Sequence, residues 1–223
     1  MIHRFTRFAA VAAVAALLPV AAGAQVSFFT SQALWTAALN GGASGLDTFN
    51  DLPGGSFPSP VNRTAGAFNY IASVTAPAGQ STLFFPAGNA ADRWLSTDYA
   101  GATMRFASFT AGTNAIGGEI FGSNLDGAFQ SGPITVAWAT TAGSGSTTVT
   151  APSSTSFWGL VTTGSLTSLS ITGVDSQSLA LWGTANNVRL GQARPTVVIP
   201  EPSTYALMAT GLVALGLIRR RRA

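Results

Sequence analysis

The sequence predicts an all-β fold for the part of the chain between its two ends. This fold is an antiparallel β-sandwich with jelly-roll connectivity. Short apolar runs recur roughly every ten residues and are separated by Gly, Pro, Ser, Asn and Asp, the usual turn formers. Several runs alternate apolar with small polar residues, as strands with one buried face do. The chain has no cysteine, so this fold takes no stability from disulfides.

The alternation is clearest in residues 134–139, where Ile134, Val136 and Trp138 share one face and smaller residues share the other. Serine and threonine on the outward positions keep such strands soluble without charge. Further strands are expected at residues 68–74, 83–85, 103–106, 146–150, 157–161, 168–171, 179–182 and 187–190.

One short helix is expected within residues 30–42. Thr30 or Ser31 can cap its start, because their hydroxyls accept hydrogen bonds from the free amides of the first turn. Two glycines at its end terminate it. Leu34, Ala37 and Ala38 fall on one side of this helix, which is its expected packing face.

The first 24 residues have the three parts of a secretory signal peptide. Arg4 and Arg7 form a short basic region, and an apolar run covers residues 8–18. Leader peptidase requires small side chains one and three residues before its cut, and Ala22 and Ala24 supply them. The protein is therefore expected to be exported and to start at Gln25 after cleavage. A short core helix is the alternative, although it would not need the basic lead.

The C-terminal end places an uncharged apolar stretch before a run of arginines. As a helix, residues 205–218 would be about 21 Å long, which is short of the ~30 Å hydrocarbon core of a bilayer. Ser203 and Thr204 can lengthen this helix, and the arginines are expected to stay on the cytoplasmic side. The predicted membrane segment contains Tyr205, Leu207, Leu212, Val213, Leu215, Leu217 and Ile218. The positive charges that are expected to keep the C-terminal end of this segment in the cytoplasm, and so to fix its topology, are Arg219, Arg220, Arg221 and Arg222.

The C-terminal segment begins with Pro200, Glu201, Pro202 and Ser203, and the apolar stretch and the arginine run follow. This segment resembles the PEP-CTERM sorting signal of Gram-negative bacteria. In that family the tail is recognised by exosortase, a membrane-embedded cysteine transpeptidase that cuts near the Pro-Glu-Pro. The resemblance implies a precursor tethered to the inner membrane and then delivered to the cell surface or extracellular matrix. Members of the family often accompany exopolysaccharide and biofilm systems. An ordinary C-terminal membrane anchor is the alternative.

These features divide the chain into a signal peptide (1–24), a β-sandwich domain (25–191), a linker (192–199) and a sorting and anchor segment (200–223). The second half of the body also resembles the β-sandwich found ahead of PEP-CTERM tails, which ends in a strand written Asp-Asn-Val. This chain has Ala185, Asn186, Asn187 and Val188 at that place. The change removes the carboxylate that a calcium site there would use.

The distribution of charge argues against a nucleic-acid partner, although the chain has a formal net charge of +3. Six of its 11 basic residues lie at the two ends, and the body between them is slightly acidic. The only histidine, His3, lies in the signal peptide, and the chain contains no lysine. Ser-His-Asp and Cys-His nucleophiles, His/Cys zinc sites and Schiff-base lysines are therefore excluded for the exported protein.

Only carboxylates remain for catalysis, so the enzymatic alternative is a glycan hydrolase or lyase that uses two acids. We expect no enzymatic activity, because scattered acids more often cap loops and turns. Asp47, Asp51 and Asp126 lie in oxygen-rich segments that could hold calcium, and Asx turns are the simpler interpretation. The candidate acid pairs are Asp47 with Asp51, Asp92 with Asp98, and Glu119 with Asp126.

Trp94, beside Arg93 in an expected loop, is the best candidate for an exposed ligand contact. Taken together, these observations predict an exported surface protein whose body serves adhesion, matrix structure or glycan binding, with exopolysaccharide as a partner. No cofactor is expected apart from the weak calcium candidates. An ice- or surface-binding face is a second alternative, but no Thr-x-Thr repeat is sustained along the chain.

Overall fold

The computed structural model describes residues 25–176, 178–195, 210–212 and 219–220. The chain forms two compact units, Met1–Ala193 and Arg194–Ala223. In chain order the elements of the first unit are β1 (Val26–Phe29), α1 (Gln32–Ala38), β2 (Ser44–Asp47), β3 (Val61–Ala65), β4 (Phe68–Thr75), β5 (Ala87–Gly88), β6 (Arg93–Trp94), β7 (Thr103–Ala107), β8 (Ala115–Ser123), β9 (Phe129–Gln130), β10 (Pro133–Thr140), β11 (Gly143–Thr150), β12 (Phe157–Thr162), β13 (Leu166–Thr172), β14 (Val174–Ser176) and β15 (Leu179–Gly191).

Two antiparallel sheets contain most of these strands. The first sheet has the order β1-β12-β8-β15-β14, with β2 paired to β15 and β9 paired to β8. The second sheet has the order β11-β10-β13-β7-β4-β3, and β5 pairs with β6 separately. The two sheets pack against each other, so the predicted antiparallel sandwich is confirmed. The jelly-roll connectivity of the strands stays a prediction.

The core lies between the sheets and is built from alternate residues of their strands. Ile134 and Val136 of β10 are fully buried, as the sequence pattern predicts, and Trp138 is half-buried. The first sheet contributes Ile116 and Ile120 from β8 to the same core. Because the inward positions of both sheets are apolar, their outward positions are free to carry polar side chains.

Most predicted strands are present, but two regions differ from the prediction. Residues 83–85 form no strand, because Phe84 makes only isolated bridges with Phe57 and Thr97. The two strands predicted at 179–182 and 187–190 are parts of one strand, β15. The pairing of β15 with β8 shifts register between Asn186 and Arg189, and this irregularity separates the two apolar runs that the sequence shows.

The central strand of the first sheet, β8, was not predicted, because three of its nine residues are glycine. The structure gives a packing reason for these glycines. A Cβ atom on Gly117 would lie 2.5 Å from the ring of Phe157, and one on Gly118 would lie 3.0 Å from the backbone oxygen of Asn186. Glycine is therefore required here by the close approach of neighbouring groups, which local strand propensity does not report.

The predicted helix is confirmed as α1, but the prediction of its packing face is wrong. Leu34 is 63% exposed, whereas Trp35 and Leu39 are each 1% exposed. These two residues are four apart and so lie on one side of the helix. Ser31 is the N-cap residue, but its side chain makes no capping hydrogen bond. The buried indole of Trp35 donates to the backbone oxygen of Leu160 at 3.1 Å, which fixes the helix on the first sheet.

In the second unit, residues 210–212 and 219–220 are helical. The rest of the predicted C-terminal apolar helix lies outside the described residues. Among the residues that are described, no helix is long and apolar enough to cross a membrane.

Candidate functional site

The outer face of the first sheet is covered in two places and open between them. On one side, Trp35 of α1 packs over Gly159, where a Cβ atom would come within 2.8 Å of the indole. On the other side, Trp94 of β6 packs edge-on against Phe121, with ring centroids 4.9 Å apart. Glu119 lies on β8 between these covers and faces outward, because Ile120 beside it points into the core.

The opening beside Glu119 is a cleft of about 530 Å³, which we call the Glu119 cleft. Its lining combines one carboxylate, six hydroxyl-bearing residues and two aromatic rings. None of the described residues that line it is cationic. The lining residues are Thr30, Ser31, Gln32, Glu119, Val149, Thr150, Ala151, Pro152, Ser153, Thr155, Ser156, Phe157 and Trp158.

Two amides hold the Glu119 carboxylate in place. Asn186 and Asn187 each donate from Nδ2 to Oε2 of Glu119 at 3.1 Å. Consecutive side chains of a regular strand point to opposite faces, but Asn187 has a φ of 49° at the point where β15 shifts its register. This irregularity brings both amides to one oxygen. Among the described residues, no hydrogen bond reaches the other oxygen, Oε1.

The same amide of Asn186 links Glu119 to a second acid. Its Nδ2 also donates to Oδ1 of Asp92 at 3.1 Å, and Oδ2 of Asp92 accepts from the indole N–H of Trp94 at 2.9 Å. The orientation of the Asn186 amide is consistent, because its Oδ1 accepts from the backbone N–H of Asn187 at 2.8 Å. Two such bonds to one nitrogen keep the nearest oxygens of the two carboxylates within about 6 Å.

The structure joins Asp92 to Glu119, whereas the sequence paired each of them with a different acid. Asp98 accepts hydrogen bonds from Ser56 and Ser81 instead. The backbone N–H of Asp126 bonds to the side chain of Asn124, which is an Asx turn. Trp94 is half-buried and not exposed, so its role as a ligand contact stays a prediction.

The predicted terminal sites fall largely outside the described residues. This applies to Ala22 and Ala24, to the sorting residues 200–203, and to most of the membrane segment. Leu212, Arg219 and Arg220 are helical and exposed. Gln25 directly precedes β1, and its backbone N–H donates to Oγ1 of Thr163 at 3.2 Å.

Comparison with protein families decides what the C-terminal segment is. Residues 198–222 match the family model of the PEP-CTERM protein-sorting motif. The chain carries a PEP-CTERM motif. The motif indicates an exported protein that is anchored in the membrane, processed there by exosortase and cleaved. No curated protein and no solved structure matches the chain.

Within the body that precedes the PEP-CTERM motif, Asp47 and Asp51 form a separate charged cluster with Arg63. Arg63 bonds to Oδ1 of both acids through Nη2 at 2.6 Å and to Oδ2 of Asp47 through Nε at 2.9 Å. The hydroxyl of Tyr70 donates to Oδ2 of Asp47 at 2.7 Å. The backbone N–H of Phe49 also donates to Asp47, at 3.0 Å.

This Arg63 cluster shifts the pKa values of its members in the directions that its charges require. Burial opposes the charge of Arg63, but hydrogen bonds to Asp47 and Asp51 raise its pKa above the ordinary value. The hydrogen bond from Arg63 lowers the pKa of Asp51, although burial partly opposes this. Burial, together with the negative charge of Asp47, raises the pKa of Tyr70.

Arg63 supplies the positive charge that the two carboxylates need, in the place where the sequence allowed a calcium ion. Asp47 has no oxygen without a protein partner. Over the described part of the chain, no three acidic, His or Cys side chains are grouped to hold a metal ion. The cluster therefore acts as an internal ion pair that connects β2 to β3 and β4.

Sequence reasoning missed Asn186 and Asn187 as site residues. A signal for them was present, because two adjacent amides interrupt an apolar run in β15. Asn186 is 2% exposed, and a buried amide requires hydrogen-bond partners. The partners that it finds are the two carboxylates of the site.

Proposed function

We propose that the body of this exported protein binds polysaccharide in the Glu119 cleft, at the cell surface or in the extracellular matrix. The observation that carries the proposal is the lining of the cleft: a positioned carboxylate, many hydroxyls and the half-buried ring of Phe157. Its volume lies within the range of roughly 300–1,000 Å³ that is usual for ligand sites.

The chemistry of the cleft matches that of a sugar. Sugar hydroxyls both donate and accept hydrogen bonds, and Oε1 of Glu119, which has no donor among the described residues, can accept from one of them. Serine and threonine hydroxyls can serve as donors or acceptors. Phe157, which is half-buried, adds apolar surface for the C–H face of a sugar ring. Because the described lining has a negative charge and no cation, the cleft favours a neutral or amino-sugar polymer over an acidic one.

We expect Glu119→Gln to weaken polysaccharide binding by about 10- to 100-fold, the effect of losing a hydrogen bond to a charged acceptor. Isothermal titration calorimetry with neutral, amino-sugar and acidic polysaccharides measures this effect. Asp98→Asn is the matched control, because Asp98 is an exposed carboxylate that bonds to Ser81 outside the cleft. Equal affinities of the wild type and Glu119→Gln would refute binding through this carboxylate.

A second candidate function is hydrolysis of the bound polymer, because Asp92 and Glu119 lie within about 6 Å of each other, close to the spacing in glycosidases. We favour binding without cleavage, since the amide of Asn186 occupies the space between the two acids. Release of reducing ends from the polymers that bind tests the alternative. Cleavage by the wild type that Glu119→Gln abolishes, with binding retained, would establish the hydrolase.

We also propose that Pro200, Glu201 and Pro202 are the residues that exosortase requires. Replacing all three by alanine is expected to leave most of the protein as a membrane-bound precursor. Immunoblots of membrane and surface fractions measure the ratio of precursor to mature protein. Pro195→Ala is the matched control, because Pro195 lies outside the matched residues 198–222 and should not affect maturation. Normal maturation of the triple variant would contradict the assignment.

A further inference from the structure

The second sheet ends on one side in a long strand with a free edge. Within the described residues, this strand, β11, pairs only with β10, and its eight residues are more than those of any other edge strand of the two sheets. The pairing runs without irregularity from Pro133 opposite Thr150 to Thr140 opposite Gly143. Most residues of β11 are exposed, so no other described part of the chain covers this edge.

The register of the hairpin shows which backbone groups of β11 are free. A loop of two residues joins Thr140 to Gly143, so these two residues form the hydrogen-bonded pair that closes the hairpin. Hydrogen-bonded pairs then recur at every second residue. The residues between them direct both N–H and C=O away from β10. These residues are Ser144, Ser146, Thr148 and Thr150.

The β11 edge has none of the features that normally prevent strands from pairing. It contains no charged residue, no proline and no bulge. The other edges are protected or short: β3 carries Arg63, β14 carries Asp175, and β1 has only four residues. The chain also has no lysine, the residue most used to protect an edge.

We propose that two copies of this protein associate through β11, which pairs antiparallel with the β11 strand of the second copy. A two-fold axis at Thr147 places Ser144 opposite the second copy's Thr150, and Ser146 opposite its Thr148. All four outward residues of each strand then form hydrogen-bonded pairs, which gives about eight new backbone hydrogen bonds. Thr147 faces its own counterpart in a pair without hydrogen bonds.

A second copy fits this edge better than an unrelated strand, because the edge is complementary to itself. Two-fold pairing uses the same surface on both partners and satisfies every outward backbone group in one register. The facing side chains are hydroxyls, and cross-strand serine and threonine pairs stabilise sheets. The dimer would join two six-stranded sheets into one and would carry two Glu119 clefts, so that one particle could bind a polymer at two points.

A single cysteine tests both the association and its register, because the chain has no cysteine of its own. Thr147→Cys places two thiols face to face, at a Cα separation of about 4.5 Å that permits a disulfide. Ser144→Cys is the matched control on the same strand, because its two copies would lie roughly 20 Å apart. The experiment uses the full chain in mild detergent, with a mild oxidant and non-reducing electrophoresis as readout.

We expect most of the Thr147→Cys protein to form a disulfide-linked dimer, while Ser144→Cys remains monomeric on the gel. Association of the C-terminal tails in detergent would not distinguish the two positions. Equal cross-linking of both variants, or cross-linking of neither, would overturn the proposal. Neither residue lines the Glu119 cleft, so the result does not depend on the proposed function.

A charge on the edge gives an independent test. Thr148→Lys would bring two ammonium groups together across the dimer, since their positions are diagonal neighbours about 7–8 Å apart. We expect this variant to sediment as a lighter species than the wild type, while a circular dichroism spectrum like that of the wild type shows that it is folded. Thr64→Lys adds the same charge to an exposed position of β3, the opposite edge of this sheet, and should sediment like the wild type. A folded Thr148→Lys protein that sediments like the wild type would overturn the proposal.

Discussion

Replacing Asp47 by alanine is expected to lower the free energy of unfolding by about 3–5 kcal/mol, the usual loss when one partner of a buried ion pair is removed. The side chains of Asp47 and Arg63 are only 3% and 10% exposed. Without Asp47, the guanidinium keeps only Asp51 as a partner, and the hydroxyl of Tyr70 loses its acceptor. Urea denaturation at neutral pH, followed by tryptophan fluorescence, measures the loss.

Asp51→Ala is the matched control, because this carboxylate contacts the same Nη2 atom at the same 2.6 Å but is 72% exposed. Its removal should change the free energy of unfolding by no more than about 1 kcal/mol, because solvent screens an exposed pair. Similar losses in the two variants would show that burial does not determine the strength of this cluster.

The position of the Arg63 cluster explains why its loss should affect the whole sandwich. Asp47 ends β2, which pairs with β15 of the first sheet. Arg63 and Tyr70 lie on β3 and β4 of the second sheet. The ion pair and the tyrosine hydrogen bond therefore connect the two sheets at one edge, where the loop after β2 crosses between them.

The sequence predicted the strands whose two faces differ clearly in polarity. Met104 and Phe106 are fully buried while Arg105 between them is exposed, so an alternation of period two reports the real environment of β7. The central strand β8 gave no such signal. Aromatic rings and backbone atoms of other strands lie so close to its glycines that a larger side chain would not fit. Local strand propensity contains no information about those contacts.

In the candidate site, too, the sequence indicated individual residues but not the contacts between distant parts of the chain. Asp92, Trp94 and Glu119 were each recognised as potential functional residues, but the acids were paired with neighbours in the sequence. Their actual connection runs through Asn186, which is 94 residues from Asp92 and 67 residues from Glu119. Strand pairing creates this proximity, and it cannot be deduced before the order of the strands is known. The PEP-CTERM motif was recognised because its parts are read in linear order at the end of the chain.

The second large loss of stability is expected from a substitution in the helix α1. Trp35→Ala is expected to destabilise the body by about 3–5 kcal/mol, because it removes a fully buried ring and leaves a cavity over Gly159. The backbone oxygen of Leu160 also loses the indole N–H that it accepts. Leu34→Ala, one residue earlier on the same helix, should change stability by no more than about 0.5 kcal/mol, because Leu34 is largely exposed.

This pair of variants separates the packing face seen in the structure from the one expected from the sequence. Chemical denaturation compares their stabilities, and a larger loss for Leu34→Ala would contradict the observed orientation of α1. The comparison also bears on function, since Ser31 and Gln32 at the start of α1 line the Glu119 cleft. If Trp35 fixes the helix on the sheet, Trp35→Ala should weaken polysaccharide binding under conditions where the protein is still folded. Leu34→Ala should bind like the wild type, because Leu34 neither lines the cleft nor fixes the helix.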